Sequence, residues 1–398
     1  MGKVVIIGGG FSGVVSAIYS AKNNDVTILE RNDDILKKLL MTGNGRCNYF
    51  NENQNVENYH SNTIELIEKI INENNINELL KFYKEIGIVP KIKNGYYYPF
   101  SNQALSIKNA LVNKLKEANV NIITNYYVEK IIKDNNKFII NDDIVCDKLI
   151  ISTGSKAYPK TGSDGNGYDI LKNFNLKVTD INPALVPLIS DNKYLKELSG
   201  IRCDAKVSFY QDDEFIKSDI GELQLTDYGV SGICVFNLSY LFYKYSGKKT
   251  IKTNFMPFID TKEELIKYLD ERNKIMNNNK KVSELLNGIL NTKLINVIIK
   301  NSNIKDIMYK SLDGEEKNRL CASINSFEFN IISTKSFDKS QVVNGGLYLD
   351  EIDINTMQVK KIKNLYVIGE LLDIDGICGG YNLTHSFISG YLAGKNIW

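Results

Sequence analysis

The stretch "GGGFSG", Gly8 to Gly13, constrains this chain more than any other. It matches G-x-G-x-x-G, which alone is a weak signal. Here the apolar run "KVVII" precedes it, small and apolar residues at helical spacing follow from Gly13 to Ala21, and a second apolar run, "VTILE", ends in Glu30. Strand, glycine turn, helix and strand ending in an acid are the setting that dinucleotide binding requires. Gly8 permits the tight turn, Gly10 lets backbone approach a pyrophosphate, and Gly13 lets helix and strand pack closely. The helix N-terminus adds N–H donors and partial positive charge. Glu30 can accept from ribose hydroxyls and would repel a 2′-phosphate, which favours FAD or NAD over NADP.

The far end of the chain separates FAD from NAD. "VVII" is a continuous apolar run, as expected of a parallel strand covered on both faces. An NAD dehydrogenase continues through regular βαβ units, whereas this chain returns to a strand only at "NLYVIGELLD", Asn364 to Asp373, after a long insertion. A strand ending in Gly-acid, then a glycine loop and a helix, suits a cofactor long enough to span the sheet. Glu370 or Asp373 is placed to bind ribityl hydroxyls. The N–H groups of Gly380, Tyr381, Asn382 and Leu383 are placed to face the flavin pyrimidine edge, where negative charge develops on reduction.

Between these ends, "SIKNALVNKLKEAN" carries Ile107, Leu111 and Leu115 four residues apart, an amphipathic helix. Strands separated by polar turns then lead to a buried strand, "KLIISTG". From about Ser190, alternating apolar residues and turn signals indicate an all-β region. Leu, Ile, Lys, Glu and Asn at helical spacing follow from Thr261 to about Asn325. The expected fold class is therefore α/β: a Rossmann-like domain interrupted by a β-barrel-like module and a small helical module. Its segments are 1–189 and 341–398 for the first domain, 190–258 and 322–340 for the barrel, and 259–321 for the helical insert.

Composition narrows the function. A formal net charge of +2 gives no basic stripe of the kind nucleic-acid enzymes carry, so a nucleic-acid partner is not expected. No apolar run reaches the roughly 18 residues of a membrane span. Six scattered cysteines without a C-x-x-C pair, and only two histidines, argue against a metal site and a disulfide framework and fit a reducing cytoplasm.

"STGSKAYPKTGSDGNGYDI", Ser152 to Ile170, follows a strand end, where ligand sites of α/β proteins lie. With "KKLLMTGNGRCN", "PALVPL", "VNGGLYLDEID" and "GELLDIDGICGGYN" it resembles the NAD(P)/FAD-dependent oxidoreductase family that includes BaiN-like reductases and aminoacetone oxidase-like proteins. The likeness runs from the first strand to the last helix. One departure is "NLTHSF", where the family pattern has a bulky aromatic nearer His385. The resemblance implies a glutathione-reductase-type FAD domain with the two inserts. It adds Phe11, Ser12, Arg31, Lys38, Leu39, Val128, Thr153, Gly154 and Gly369 to the expected cofactor-binding residues. It also makes "MTGNGRCN" a flavin cradle: Gly43 and Gly45 allow close approach, Thr42, Asn44 and Asn48 offer hydrogen bonds, and Arg46 and Cys47 line it.

The expectation is a cytoplasmic FAD oxidoreductase acting on a small-molecule substrate. Hydride would pass between NADH, NADPH or a small organic donor and a conjugated ketone or oxygen. No second glycine fingerprint exists for a dedicated NAD(P)H domain. Cys47 (as a redox thiol), His385 and Tyr158 are the candidates for catalysis. Arg202 and Thr226 to Gly232 are candidates for facing the flavin from the β module. The alternatives are an FAD-dependent nucleic-acid-modifying enzyme, a non-catalytic flavin-binding protein and an NAD-dependent dehydrogenase.

Overall fold

The computed structural model describes residues 2–397. They divide into two compact units, residues 2–183 with 340–397, and residues 184–339.

The first unit is built on a seven-stranded sheet. Its strands are β1 (Gly2–Ile7), β2 (Asn24–Leu29), β3 (Asn121–Ile123), β4 (Lys148–Ile151), β5 (Ile352–Asp353), β6 (Gln358–Val359) and β7 (Leu365–Val367), in the order β5-β6-β7-β4-β1-β2-β3. β7, β4, β1, β2 and β3 run parallel, with Val4 opposite Lys148 and Val26. β5 and β6 extend the edge as an antiparallel pair. Val4, Val5 and Ile6 of β1 and Leu149, Ile150 and Ile151 of β4 are fully buried, as central strands covered on both faces must be. Each such side chain adds roughly 1.5–3 kcal/mol by burial. β1 feeds helix α1 (Phe11–Ser20), and β7 leads through residues 368–380 into helix α2 (Tyr381–Asn396). The predicted amphipathic helix is Ala104–Glu117, with Ile107, Leu111 and Leu115 buried.

The second unit is a closed six-stranded barrel carrying helices. Its strands are Leu188–Ser190, Gly229–Gly232, Glu214–Leu225, Arg202–Gln211, Lys249–Asn254 and Phe327–Thr334, in that spatial order. The unit boundary falls after Pro183 rather than after residue 189, because Leu188 and Ile189 already pair with Val230 and Gly229. The last helix, Gly314–Asn325, runs past residue 321. The Asp313–Glu316 capping box starts it, and Leu320, Cys321 and Ile324 bury its stripe in the hydrophobic cluster that also contains the barrel's Val207, Phe209 and Phe329.

Candidate functional site

Gly8 turns the chain out of β1 with φ +105°, and a Cβ there would lie 2.4 Å from the Ser152 carbonyl oxygen at the end of β4. A Cβ on Gly13 would lie 2.1 Å from the Gly8 carbonyl oxygen. Neither position admits a side chain. Gly10 differs: its conformation is extended, with φ −72° and ψ −179°, and an added Cβ would meet no atom within 4 Å. Nothing in the protein requires glycine at position 10, so the space above it is kept open for something else. Gly10 is also the N-cap of α1, which has no side-chain cap and no acid in its first turn. Open space at an uncapped helix N-terminus fits a pyrophosphate.

Glu30 follows β2 and is 7% exposed. Gly9 N–H donates to its Oε2 at 2.8 Å, while Asn32 N–H and Nδ2 donate to Oε1 at 2.8 and 2.7 Å. The carboxylate is thus aimed back across the glycine turn. A carboxylate has about four acceptor sites, so capacity remains for a ribose hydroxyl.

Three stretches distant in sequence meet at Glu370. Lys38 Nζ lies 2.5 Å from Glu370 Oε2, and Ser155 Oγ donates to the same oxygen at 2.8 Å. The Tyr168 hydroxyl donates to the Glu370 carbonyl at 3.2 Å. Gly369 and Glu370 open the turn Gly369–Leu371 directly after β7. Thr153 and Gly154 follow β4, and the Thr153 Oγ1 atom is buried without a hydrogen-bond partner among the described residues. Leu39 and Val128 are buried; Phe11 and Ser12 sit in the first turn of α1.

"MTGNGRCN" begins inside a broken 3₁₀ segment, Leu39–Gly45, kinked at Thr42, Gly43 and Asn44, and runs on past it to Asn48. Gly43, Asn44, Gly45 and Cys47 all have positive φ, which carries the backbone through a sharp loop. Cys47 is fully buried, and desolvation pushes its thiol up to about 12. That is the reverse of the exposed, acidic thiol a redox role requires. Arg46 does not counter this: its guanidinium lies 5.4 Å from the Tyr98 ring centre, and its Nε donates to Gly43.

Several expected contacts are spent on the protein itself. The Asn48 amide, oriented to satisfy its surroundings, donates to the Phe50 and Tyr97 carbonyls at 3.0 Å each. Asn382 Nδ2 donates to Gly376 O at 2.8 Å and its Oδ1 accepts from Gly376 N–H at 2.9 Å. Asp373 Oδ2 accepts from Asn62 N–H and Nδ2, both at 2.9 Å, and its carboxyl is raised above the usual range by burial. Arg31 pairs with Asp164 and lies 4.9 Å from the Tyr127 ring centre. A Cβ on Gly380 would come within 2.8 Å of Phe50 backbone, so this glycine is needed for packing as well as for opening α2. These side-chain bonds shape the loops around the expected cofactor path.

The remaining candidates separate clearly. His385 is buried in α2 with no partner on either ring nitrogen among the described residues, and desolvation lowers it to about 4 despite the opposing influence of Glu370. A ring held neutral in this way is no proton donor near neutral pH. Its two orphaned nitrogens, like Thr153 Oγ1, are what a bound group with hydrogen-bonding edges would satisfy. Tyr158 is half-buried in the left-handed region (φ 59°) and opens the turn Pro159–Thr161.

The pair His60–Asp375 went unread in the sequence. His60 Nδ1 lies 2.9 Å from Asp375 Oδ2, and Asn344 Nδ2 donates to Asp375 Oδ1 at 2.7 Å. The available signal was that His60 is one of only two histidines, and that Asp375 stands two residues beyond Asp373 in "GELLDIDG".

Comparison with known proteins finds relatives along the whole chain. The family described as "HI0933-like protein Rossmann domain" matches residues 2–396. A 3-dehydro-bile acid delta(4,6)-reductase of Clostridium scindens is 34% identical over 408 residues, covering 99% of this chain and 98% of the relative. A ribosomal RNA dihydrouridine synthase of Escherichia coli is 24% identical over 400 residues, covering 99% and 97%. Among solved structures, the open conformation of a flavocytochrome c3 fumarate reductase shares the fold at 12% identity and a TM-score of 0.51, over 100% of this chain and 78% of that one.

Proposed function

The chain belongs to the HI0933-like Rossmann domain family, and from that premise we propose that this FAD-dependent oxidoreductase saturates a conjugated carbon–carbon double bond next to a ketone in a small organic molecule. The observation that carries the reading is the 34% identity, over 99% of the chain, to a relative named for reducing a 3-dehydro bile acid. A reduced pyridine nucleotide is the proposed donor. It would visit the cofactor face without a domain of its own, since the chain holds one glycine fingerprint. The proposed setting is a reducing cytoplasm: none of the six cysteines is in a disulfide, and among the described residues no helix is long and apolar enough to cross a membrane.

FAD, when bound, supplies the hydride chemistry; the chain supplies position and electrostatics. Gly10 and the first turn of α1 would take the pyrophosphate, and Glu30 the adenosine ribose. Lys38, Thr153, Gly154 and Glu370 would line the middle of the cofactor, with Gly369 letting the chain turn there. The N-terminus of α2, with no side-chain cap and no acid in its first turn, would face the edge where negative charge develops. The loop Leu39–Gly45 would lie against the ring system as backbone, with Cys47 packed beneath it.

The test is anaerobic incubation of the purified protein with NADH or NADPH and a conjugated 3-dehydro bile acid, read by mass spectrometry. The product should gain two hydrogens. A second reading is supported by the ribosomal RNA dihydrouridine synthase similarity, which keeps an RNA uridine as acceptor despite the near-neutral net charge. Nucleoside analysis of ribosomal RNA after incubation with the enzyme separates the two: dihydrouridine formed there, with the ketone untouched, would replace the first reading.

A further inference from the structure

Reducing a conjugated ketone requires a proton as well as a hydride, and the groups singled out in the sequence are poorly suited to give one. Burial holds His385 neutral and pushes the Cys47 thiol up to about 12. Tyr381, first residue of α2, is likewise raised to about 12, chiefly by desolvation. A useful general acid titrates near the working pH, and histidine is the side chain that ordinarily does.

The other histidine lies in the right segment. The two-residue strand Tyr59–His60 pairs antiparallel with Asp375–Gly376, placing His60 opposite Asp375. Asp375–Gly376 belongs to the connection between Glu370 and Gly380, the two points at which the chain would meet the middle and the ring end of the cofactor. The pairing is fixed on both sides. Asp373 is held by Asn62, the Tyr59 and Tyr381 rings meet edge to face at 5.4 Å, and Asn382 grips Gly376. Within this frame Asp375 is 2% exposed, and its two oxygens divide between His60 Nδ1 and Asn344 Nδ2.

We propose that His60 delivers the proton in the reductive step, with Asp375 and Asn344 as its positioning residues. The assignment rests on the function proposed above. Asn344 orients the carboxylate, the carboxylate orients the ring and keeps a proton on Nδ1, and Nε2 becomes the nitrogen through which protons are exchanged. This is the logic by which a buried acid positions a histidine. The step balances. The hydride brings one hydrogen and both electrons to the β-carbon of the conjugated ketone, and the double bond's electrons move toward the carbonyl. The α-carbon then takes the proton that leaves Nε2. The ring retains its Nδ1–H toward Asp375, and Nε2, buried in this structure, regains its proton from solvent between turnovers. Asp373, two residues from Asp375, is the other acid in this frame. With its carboxyl already engaged by Asn62, it is not assigned the transfer.

Two measurements test this. The first needs no cofactor turnover. With only two histidines, ¹⁵N-histidine spectra are assignable using His385→Gln, and neutral His60 should carry its proton on Nδ1. Asp375→Asn, which keeps the shape of the side chain, should disturb that preference. A neutral His60 protonated on Nε2 in the wild type overturns the assignment. The second is single-turnover oxidation of the NADH-reduced enzyme by a conjugated 3-dehydro bile acid. His60→Gln and Asp375→Asn should each keep their FAD, and His60→Gln should slow the step about a hundredfold or more. A reactive wild type beside an equally reactive His60→Gln overturns the assignment and leaves the proposed function standing. A wild type inert to the ketone overturns both.

Discussion

Lys38 Nζ lies 2.5 Å from Glu370 Oε2, although 332 positions separate the two residues in the chain. The ion pair, joined by Ser155 Oγ on the same carboxylate oxygen, ties the segment after β2 and the segment after β4 to the turn after β7. Both partners are partly buried, so the pair resists solvent screening better than the exposed pairs of the surface. Lys38→Met leaves Glu370 without its cation, and should cost about 1–3 kcal/mol of apoprotein stability and lower FAD occupancy. Urea unfolding and flavin content after purification measure the two effects. An unchanged midpoint and full occupancy would show that the pair is incidental.

Gly10→Val should produce folded, colourless protein. A Cβ at position 10 has open space in the protein, so the apoprotein should keep its circular dichroism spectrum and melting temperature, while the added side chain fills the place proposed for the pyrophosphate. A fully yellow variant contradicts that placement.

Glu30 has two roles that substitution separates. Glu30→Ala removes the acceptor of the buried Gly9 N–H and should destabilise the apoprotein by about 1–3 kcal/mol, while weakening FAD by a similar amount. Glu30→Gln retains an acceptor for Gly9 and should restore most of the stability but less of the affinity. Calorimetric titration of FAD into each apoprotein, beside thermal melts, checks this. Unaltered FAD affinity in Glu30→Ala would move the ribose contact elsewhere.

Cys47→Ser should retain flavin and turnover within a few-fold, and the wild-type thiol should alkylate slowly in folded protein, because it is buried and pushed up to about 12. A hundredfold loss of turnover with normal flavin content, about 2.7 kcal/mol at roughly 1.36 kcal/mol per tenfold, would mean that the loop acts through its thiol.

His385 predicts the acid limb of stability. Its folded value is lowered to about 4 from an ordinary 6.5, so below pH 6.5 the unfolded chain binds a proton that the folded chain refuses. Its contribution is fully present above pH 6.5 and is lost as pH falls toward 4. The loss reaches about 3 kcal/mol at roughly 1.36 kcal/mol per unit. Apoprotein unfolding in urea from pH 7 to pH 4 should be shallower in His385→Gln than in wild type. Identical slopes would show that the imidazole is not the group titrating.

The sheet and its glycine turn were legible because their signals are local. "VVII" is apolar throughout since both faces are covered, and Gly13 is dictated by the Gly8 carbonyl in the same turn; Gly8 was readable from its place in the fingerprint, although the contact that requires it is with Ser152 after β4. The barrel was legible from alternation, but its first strand was not, because Leu188–Ser190 is too short to show a period. The site was legible as segments and less so as atoms. Lys38 and Glu370 were both read from the sequence, yet nothing in a linear pattern says that they meet. Asn48, Asn382 and Asp373 were read by residue type or backbone position, and only the folded loops show that their side chains also bind backbone and Asn62. His60 was missed for a related reason: a histidine in a two-residue strand has no periodicity, and its partner Asp375 lies 315 positions away.

The most direct test of the account is an anaerobic spectral titration of the purified yellow protein. NADH or NADPH should bleach the visible flavin absorbance, and one equivalent of a conjugated 3-dehydro bile acid should then restore it without oxygen. Absorbance that bleaches but returns only on admitting air would contradict the proposed acceptor. Protein that carries no flavin absorbance at all would contradict the cofactor on which the whole account stands.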